Sequence, residues 1–295
     1  TGSSQTITNG IDIAGENGLV WIKSRGAATN HFLFNPAGGF NNNSDNTTAS
    51  GNNSTYAFSA TSTGYVLGNG AAQTNSASYG PYASWTFRKA PKFFDIVTYT
   101  GNGSNRTIAH SLDSTVGMIM IKNTGVNDPW AVYHRGANEA TNAENYYFVL
   151  NTTAAKVASA NWWNNTAPTS SVFTVGTDHS VNANGENYVA YLFAHNNDDG
   201  EFGPDGDQDI IKCGTFQGQG TFNIGFEPQW LMIKRDASDT LGDWFISDKM
   251  RGWSVEGSMK ERFLAANLST QEGQDSGDGV QSNSEVFLWI WLFIT

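Results

Sequence analysis

Short apolar runs alternate with polar, glycine-rich turns along the whole chain. The runs are rich in β-branched and aromatic residues, which predicts many short β-strands, and no long amphipathic helix is visible. Three runs close on the same dipeptide, Ile-Lys, at Lys23, Lys122 and Lys234. These lysines lie 99 and 112 residues apart, a spacing that fits one small domain per unit rather than the shorter period of a solenoid.

The features around each Ile-Lys run recur in the same order. A glycine-rich turn and a short strand precede the run, and a polar turn and an aromatic strand follow it, at residues 30–34, 129–134 and 242–246. A further aromatic strand closes each unit, at residues 82–87, 188–193 and 285–294. The sequence therefore predicts an all-β protein of three tandem antiparallel β-sandwich-like repeat units, with boundaries at residues 1–90, 91–196 and 197–295.

The middle unit is the most complete of the three. Its pattern predicts seven strands, at residues 93–100, 107–110, 117–123, 130–135, 146–150, 172–176 and 188–195. Seven strands in roughly 100 residues suit a small antiparallel sandwich. The last of these strands is apolar on both faces, so we expect it to be central in its sheet.

Four other stretches carry expectations of their own. Residues 38–54 and 269–284 are rich in Asn, Ser, Thr and Gly and are predicted to be surface loops. Residue Thr1 aligns with Thr100, so the strand at 93–99 has no counterpart in the first unit, and we expect a longer polypeptide to supply it. The closing strand carries Trp289 and Trp291 on one face and is apolar on the other, which predicts cover on both sides.

Charge and cysteine content narrow the class of partner. The chain has a formal net charge of -11, which argues against a nucleic acid partner because no Lys/Arg cluster is present to displace counterions. The single cysteine, Cys213, cannot form an internal disulfide. The longest apolar run, residues 286–294, has about half the length of a membrane-spanning helix, so we expect no membrane insertion.

An acidic segment between the second and third units offers the best metal candidate. The alternate carboxylates of Asp205, Asp207 and Asp209 resemble the opening of a helix-flanked calcium loop. Ile210 stands where that loop needs glycine, and Phe216 stands where it needs a closing glutamate. The main expectation is a solvated acidic linker without a cofactor, and an irregular structural Ca²⁺ site is the alternative.

Catalytic patterns are weak. The histidines lack metal spacing or a partner at a recognisable interval, although His134 and His195 both end strands of the middle unit and are placed to approach each other. No Gly-Xaa-Ser-Xaa-Gly elbow, phosphate loop or HExxH helix is present. We therefore predict that the chain is not an enzyme. A polysaccharide depolymerase is the enzymatic alternative, and it needs a pair of carboxylates that the spacing does not identify.

The repeated lysines have two interpretations. At the end of a strand, a lysine normally covers apolar surface with its stem and lifts its ammonium into solvent. The alternative is an internal Lys-Asn crosslink of the kind found in some surface adhesins. We expect the first arrangement for Lys23, Lys122 and Lys234.

Exposed indoles are the strongest candidates for ligand contact, because sugar rings stack on them. In the stretch Trp162, Trp163, Asn164 and Asn165, an extended backbone turns adjacent side chains to opposite faces. At least one indole is then predicted to lie outside the local core, beside amides that bond to sugar hydroxyls. The main expectation is that both tryptophans are core residues, and a glycan contact at these four residues is the alternative.

The sequence resembles a repeat domain of tail-fibre-like virion proteins from marine bacteriophages, cyanophages especially. The resemblance covers nearly the whole chain and is strongest at residues 93–103, 130–135, 163–173, 188–195 and 225–230. It implies a structural virion component at the surface of the extracellular particle, a segment of a tail fibre or similar appendage that positions or mediates host attachment.

The resemblance also implies partners. Such fibres are usually trimeric, so we expect a homotrimer with Trp289 and Trp291 near a covered surface. Other virion proteins and a host surface glycan or outer-membrane receptor are the further expected partners. A carbohydrate-binding module or a capsid decoration protein is the alternative function.

Overall fold

The computed structural model describes residues 3–69, 73–216, 224–226, 228–236, 242–251, 262–274 and 287–291, with the backbone alone for 274 and 287–291. The strands, in chain order, are β1 (Gln5–Thr8), β2 (Gly18–Ser24), β3 (Phe32–Asn35), β4 (Phe40–Asn42), β5 (Gly51–Asn52), β6 (Phe58–Thr61), β7 (Gly64–Leu67), β8 (Tyr82–Arg88), β9 (Phe94–Thr100), β10 (Arg106–Ala109), β11 (Val116–Asn123), β12 (Ala131–His134), β13 (Tyr146–Val149), β14 (Val157–Ala158), β15 (Val172–Val175), β16 (Asn187–Ala194), β17 (Trp230–Lys234), β18 (Phe245–Asp248), β19 (Arg262–Ala265), β20 (Gly273–Gln274) and β21 (Phe287–Trp291). The helical turns found within these ranges are short: α1 (Ala160–Trp163), α2 (His179–Asn182) and four 3₁₀ turns at Asn53–Tyr56, Ala137–Ala140, Ala143–Asn145 and Lys249–Arg251.

Three larger sheets contain most of these strands. Sheet 1 has the order β5-β4-β3-β2-β8, sheet 2 the order β14-β13-β12-β11-β16-β9, and sheet 3 the order β20-β19-β18-β17-β21. The strands that end on Ile-Lys are β2, β11 and β17, and each lies between the next strand in the sequence and an aromatic strand from later in the chain. The paired strands are antiparallel, which confirms the predicted all-β class.

The seven strands predicted for residues 91–196 are present as β9, β10, β11, β12, β13, β15 and β16. The predicted central position of β16 is confirmed, because β16 pairs with β11 on one side and with β9 on the other. A bulge between Val116 and Met118 lies at Gly117, where a Cβ atom would stand 2.4 Å from the Cys213 sulfur. Glycine therefore allows Cys213, in the segment that follows β16, to pack closely against the start of β11.

Smaller sheets cover the outer faces of sheets 1 and 2. On sheet 1, outward residues such as Val20 and Phe34 pack against Phe58 and Tyr65 of the sheet β1-β7-β6. On sheet 2, Tyr99 meets Phe173 of the pair β10-β15 edge to face, with 6.3 Å between ring centroids. Sheets 1 and 2 are thus each one layer of a two-layer sandwich, with a smaller sheet as the other layer.

The inner faces of all three larger sheets contribute to one hydrophobic cluster. Phe87 of sheet 1 lies 5.6 Å from Phe193 of sheet 2 and 5.8 Å from Trp230 of sheet 3, measured between ring centroids. The repeat spacing predicts separate small domains, whereas the inner core is shared. The physical reason is that β2, β11 and β17 are buried on both faces, so the inner face of each larger sheet needs cover from the other two.

The predicted surface loop at residues 38–54 is instead largely built into sheet 1. Its residues form β4 and β5, and Asn42 and Ser44 are buried. The Asn42 amide donates to the Tyr191 hydroxyl at 3.3 Å, and the Ser44 hydroxyl donates to the Ala266 carbonyl at 2.6 Å. A polar tract packs here because its side chains find hydrogen-bond partners on the other two sheets.

Two expectations concern parts that the structure does not describe. The side chains of Trp289 and Trp291 lie outside the described residues, although the backbone of β21 pairs with β17 so that Trp230 faces Trp291 and Met232 faces Trp289. The second predicted loop, residues 269–284, is described only as far as β20. Thr1 also lies outside the described ranges.

Candidate functional sites

The predicted glycan stretch begins with a helical turn rather than a strand. Trp162 and Trp163 lie in α1, and both are buried. Trp162 stacks on Tyr147 with 3.6 Å between ring centroids, and the Trp163 indole N–H donates to the Tyr146 carbonyl at 3.0 Å. Because helical residues turn by about 100° and not 180°, adjacent rings can both face the core.

Asn164 and Asn165 follow α1 on the surface. Both have left-handed backbones, with φ of 51° and 48°, and both are exposed. The Asn105 amide donates to the Asn164 side-chain oxygen at 2.7 Å. A glycan contact at this stretch stays a prediction, and the groups exposed for it are amides and not indole faces.

The acidic segment between sheets 2 and 3 folds back on itself through a bridge between Phe202 and Gln208. The Asp209 carboxylate accepts the backbone N–H groups of Asp198 at 2.9 Å and Gly200 at 3.0 Å. Asp205 and Asp207 are exposed. Within the described ranges, no three His, Cys, Asp or Glu side chains are grouped to hold a metal ion. A Ca²⁺ site at Asp205, Asp207 and Asp209 stays a prediction.

His134 and His195, at the ends of β12 and β16, do come near each other. Burial lowers the pKa of His195 to about 4, with Arg135 as the second cause, and burial also lowers the pKa of His134 well below its usual value. His195 Nε2 lies 2.8 Å from the Arg135 guanidinium, and its Nδ1 accepts the Cys213 N–H at 3.1 Å. Burial raises the pKa of the Cys213 thiol to about 12, so this cluster presents a neutral imidazole and a neutral thiol at pH 7.

Lys23, Lys122 and Lys234 form the most regular polar arrangement in the molecule. All three side chains are fully buried, so the expectation that they reach solvent is wrong. Each Nζ donates at 3.0 Å to the carbonyl of the residue that follows it, which is Ser24, Asn123 or Arg235. For Lys23 and Lys122 the contacts are to main-chain carbonyl oxygens and not to the Asn side chain that a Lys-Asn crosslink needs.

A second acceptor for each lysine comes from another sheet. Lys122 of sheet 2 donates to the Thr47 carbonyl, between β4 and β5 of sheet 1, at 3.1 Å. Lys234 of sheet 3 donates to the Thr153 carbonyl, between β13 and β14 of sheet 2, at 3.1 Å. Lys23 of sheet 1 donates to the Ser269 carbonyl, between β19 and β20 of sheet 3, at 3.3 Å. We name these contacts the Lys122, Lys234 and Lys23 junctions.

A backbone hydrogen bond accompanies each junction at constant sequence offsets. The donor lies three residues after the carbonyl that binds the lysine, and the acceptor lies two residues after the lysine. The bonds are Ser50 N to Thr124 O at 3.1 Å, Lys156 N to Asp236 O at 3.4 Å, and Glu272 N to Arg25 O at 3.0 Å.

The ammonium groups are charged and matched to their acceptors. Burial lowers the pKa of Lys122 to about 8, with Asp128 opposing the shift, and burial likewise lowers the pKa of Lys23 to about 8, with Asp45 opposing. Both therefore carry three N–H donors at pH 7. Lys122 has three carbonyl acceptors, since the Asp128 carbonyl lies at 3.0 Å beside the two already given.

Side chains distinguish the junctions from one another. At the Lys23 junction, Glu272 is bound by Arg25 at 2.8 and 2.9 Å, Arg251 at 3.2 Å and Arg262 at 3.1 Å. The Glu272 side chain is only 6% exposed. At the Lys234 junction the ion pair is instead Lys156 with Asp236, at 2.6 Å. Each charge at the junctions is held by fixed partners, so we interpret the junctions as structural contacts.

Sequence reasoning identified these lysines as a repeated feature but missed their partners. An ammonium at a strand end looks the same in sequence whether water or another sheet supplies its acceptors. The signal available was the recurrence itself: a solvated lysine need not return three times after the same apolar run.

The fold and its junctions define an all-β protein whose three larger sheets share a core and are tied by buried ammonium groups. The chain belongs to the family described as Domain of unknown function (DUF7483), whose model matches residues 1–289. No curated protein and no solved structure matches the chain. In the described part of the chain, none of the helices has the length and apolar character needed to cross a membrane.

Proposed function

We propose that the chain is a structural protein built from three related β units, residues 1–90, 91–196 and 197–295, that close into a ring. The constant offsets at the lysine junctions carry this proposal. An offset of three residues on one partner and two on the other, repeated at three places, is what duplication of one unit produces. The matching strand orders of sheets 1, 2 and 3 support the same reading.

The direction of the junctions supports closure. Lys122 of the second unit binds the first unit, Lys234 of the third binds the second, and Lys23 of the first binds the third. Head-to-tail contacts form a ring when the rotation between units closes and a filament when it does not. A closed ring makes a rigid segment that buries its own apolar faces.

We further propose that this ring is a segment of a bacteriophage tail fibre or similar appendage, exposed on the extracellular particle. It positions or mediates attachment to a host glycan or outer-membrane receptor and contacts other virion proteins. The resemblance to tail-fibre-like repeats and the structural character of the junctions support this role. A carbohydrate-binding module or capsid decoration protein is the second candidate, favoured by an uncharged groove beside Thr100 and Asn187.

The expected homotrimer remains a separate proposal. Each lysine junction has its donors and acceptors within one chain, so three chains are not needed to complete it. The mass of the purified protein, measured by light scattering, distinguishes a monomer from a homotrimer. One chain gives 31.9 kDa, and a homotrimer gives three times that mass.

Cutting the chain tests the ring. A protease site inserted after Gly206, in the exposed turn between the second and third units, separates residues 1–206 from the remainder. We expect the two fragments to stay together on gel filtration, because the third unit is held at both the Lys234 and Lys23 junctions. The same cut in a chain with Lys23→Met and Lys234→Met is expected to release the fragments at a lower urea concentration, because the shared core then holds them without the two ammonium groups. Separation of the fragments with both lysines intact contradicts the ring.

Labelling tests the virion role. Gold-labelled antibodies raised against the chain are applied to purified particles of the phage that encodes it and viewed by electron microscopy. Label on fibres or other appendages supports the proposal. Label on the capsid shell alone supports the decoration protein, and particles without label contradict both.

A further inference from the structure

An open groove of about 250 Å³ lies next to the Lys122 junction, where sheet 1 meets the end of sheet 2. Phe40 of β4 forms one side. The other side comes from the ends of β9 and β16 and includes Thr98, Thr100 and Asn187. The register pairs Thr100 with Asn187, so their side chains share one face of sheet 2. Alternate residues of β9 point to the same face, so Thr98 and Thr100 lie on the face of the buried Phe94 and Ile96.

The inner face of sheet 2 therefore changes character along β9. Phe94 and Ile96 are buried in the shared core, whereas Thr98 and Thr100 are exposed. The hydroxyls of Thr98 and Thr100 are not needed to close the core, yet they line a concave surface. The groove begins where the shared core ends.

The groove presents both donors and acceptors. The Thr100 hydroxyl donates to the Asn187 side-chain oxygen at 2.9 Å, and the Thr124 hydroxyl donates to the Asn187 carbonyl at 3.0 Å. The Thr100 bond orients the Asn187 side-chain amide so that its NH₂ group is available as a donor, whereas the Thr124 bond is to the main chain, and lone pairs remain on both hydroxyls. The Thr98 hydroxyl has no hydrogen-bond partner among the described residues, so it can donate and accept.

An aromatic side chain and the absence of charge complete the lining. Phe40 is half-buried and gives the groove an apolar side. The hydroxyls of the two lining tyrosines are bound inward, Tyr99 to the Val181 carbonyl and Tyr188 to the His179 carbonyl, both at 2.6 Å. None of the described lining residues is ionised at pH 7. The volume is below the range of about 300 to 1,000 Å³ typical of sites for drug-sized ligands.

We propose that this groove binds a single pyranose ring of a neutral sugar. Phe40 contacts the apolar face of the ring, and Thr98, Thr100 and Asn187 bond to its hydroxyls, which donate and accept as these side chains do. Acidic sugars lack a cationic partner in the lining. This site is distinct from the stretch at Trp162 to Asn165 and does not depend on the virion role.

Saturation-transfer NMR with the intact chain tests the proposal. The probes are the methyl pyranosides of glucose, galactose and mannose and N-acetylglucosamine, each at about 10 mM, a concentration suited to weak, millimolar binding. We expect at least one probe to receive saturation. The signal is expected to fall at least about five-fold in Phe40→Leu, which keeps apolar bulk but removes the ring, and in Thr98→Val, which keeps the β-branched shape.

Matched variants separate binding from folding. Thr107→Val replaces an exposed threonine on β10, and Tyr79→Leu replaces an exposed aromatic residue outside the groove. Both are expected to keep the wild-type signal, and all four variants are expected to keep the wild-type melting temperature. The proposal is overturned if none of the four sugars receives saturation, or if binding persists unchanged in both Phe40→Leu and Thr98→Val.

Discussion

Replacing Lys122 with methionine removes the buried ammonium and keeps most of the side-chain stem. In the folded protein this ammonium donates to the carbonyls of Thr47, Asn123 and Asp128 at 3.1, 3.0 and 3.0 Å. Methionine fills nearly the same volume, so little cavity is formed. The perturbation is therefore the loss of three charge-assisted hydrogen bonds, one of which joins sheet 2 to sheet 1.

The expected magnitude follows from the acceptors left behind. A buried carbonyl without a donor costs about 1 to 3 kcal/mol, and removing the buried charge recovers part of the desolvation penalty of the ammonium. The Thr47 carbonyl keeps the Asp128 N–H at 2.8 Å, so this cost falls mainly on the carbonyls of Asn123 and Asp128. We expect a loss of about 3 to 5 kcal/mol in the free energy of unfolding, and a fall in Tm of roughly 6 to 15 °C.

Urea unfolding followed by tryptophan fluorescence, together with a thermal melt, measures this change. Lys212→Met is the matched control, because the Lys212 side chain is partly exposed and its ammonium lies 4.0 Å from Asp209 in a weak contact. This substitution should change stability by less than about 1 kcal/mol. Lys23→Met and Lys234→Met are expected to behave like Lys122→Met. If Lys122→Met stays within about 1 kcal/mol of wild type, the junction does not stabilise the fold as argued.

Three further predictions concern the same junctions. Glu272→Gln leaves the Arg25 guanidinium without a carboxylate in a largely buried site. We expect the free energy of unfolding in urea to fall by about 2 to 4 kcal/mol, and an unchanged value contradicts the role of the ion cluster. Gly242→Ala places a Cβ 2.3 Å from the Thr153 carbonyl, so we expect a loss of about 1 to 3 kcal/mol by thermal melt, and an unchanged Tm refutes the close approach. The folded pKa of Lys122, about 8, lies below its usual value of 10.5. Between these two values the unfolded state binds more protons than the folded state. The contribution of Lys122 to stability therefore rises with pH across this window and is lost as pH falls through 8. The stability difference between wild type and Lys122→Met should therefore be larger at pH 9.5 than at pH 7, and an equal difference contradicts the shift.

The strands were predictable because their signal is local. Alternation and apolar runs mark β11 and β16 within a few residues, and apolar character on both faces of β16 indicates a central strand. The same signal does not say what covers the second face. Cover by other sheets of the same chain, by another subunit or by a helix leaves an identical pattern, which is why the shared inner core was not predicted.

Two expectations about local structure were wrong for reasons that can be stated physically. Trp162 and Trp163 were read as extended, but the Ser159 side chain accepts the Asn161 N–H and begins a helical turn, which brings both rings inward. The polar tract that includes Asn42 looked unable to pack because composition alone counts its amides as solvated. Amides can be buried when distant parts of the chain supply partners, and that information is not local.

The junctions help to explain why three similar sheets come together in one order. Apolar inner faces attract one another without regard to register, so a shared core alone leaves several arrangements close in free energy. A wrong pairing would leave a buried ammonium such as that of Lys122 without its acceptor on the neighbouring sheet, the Thr47 carbonyl, which adds a penalty to that arrangement. The ion pairs then distinguish one junction from another, since Glu272 binds Arg25 at the Lys23 junction and Asp236 binds Lys156 at the Lys234 junction. We infer that the apolar residues supply most of the stability, and the buried charges select which sheet lies beside which.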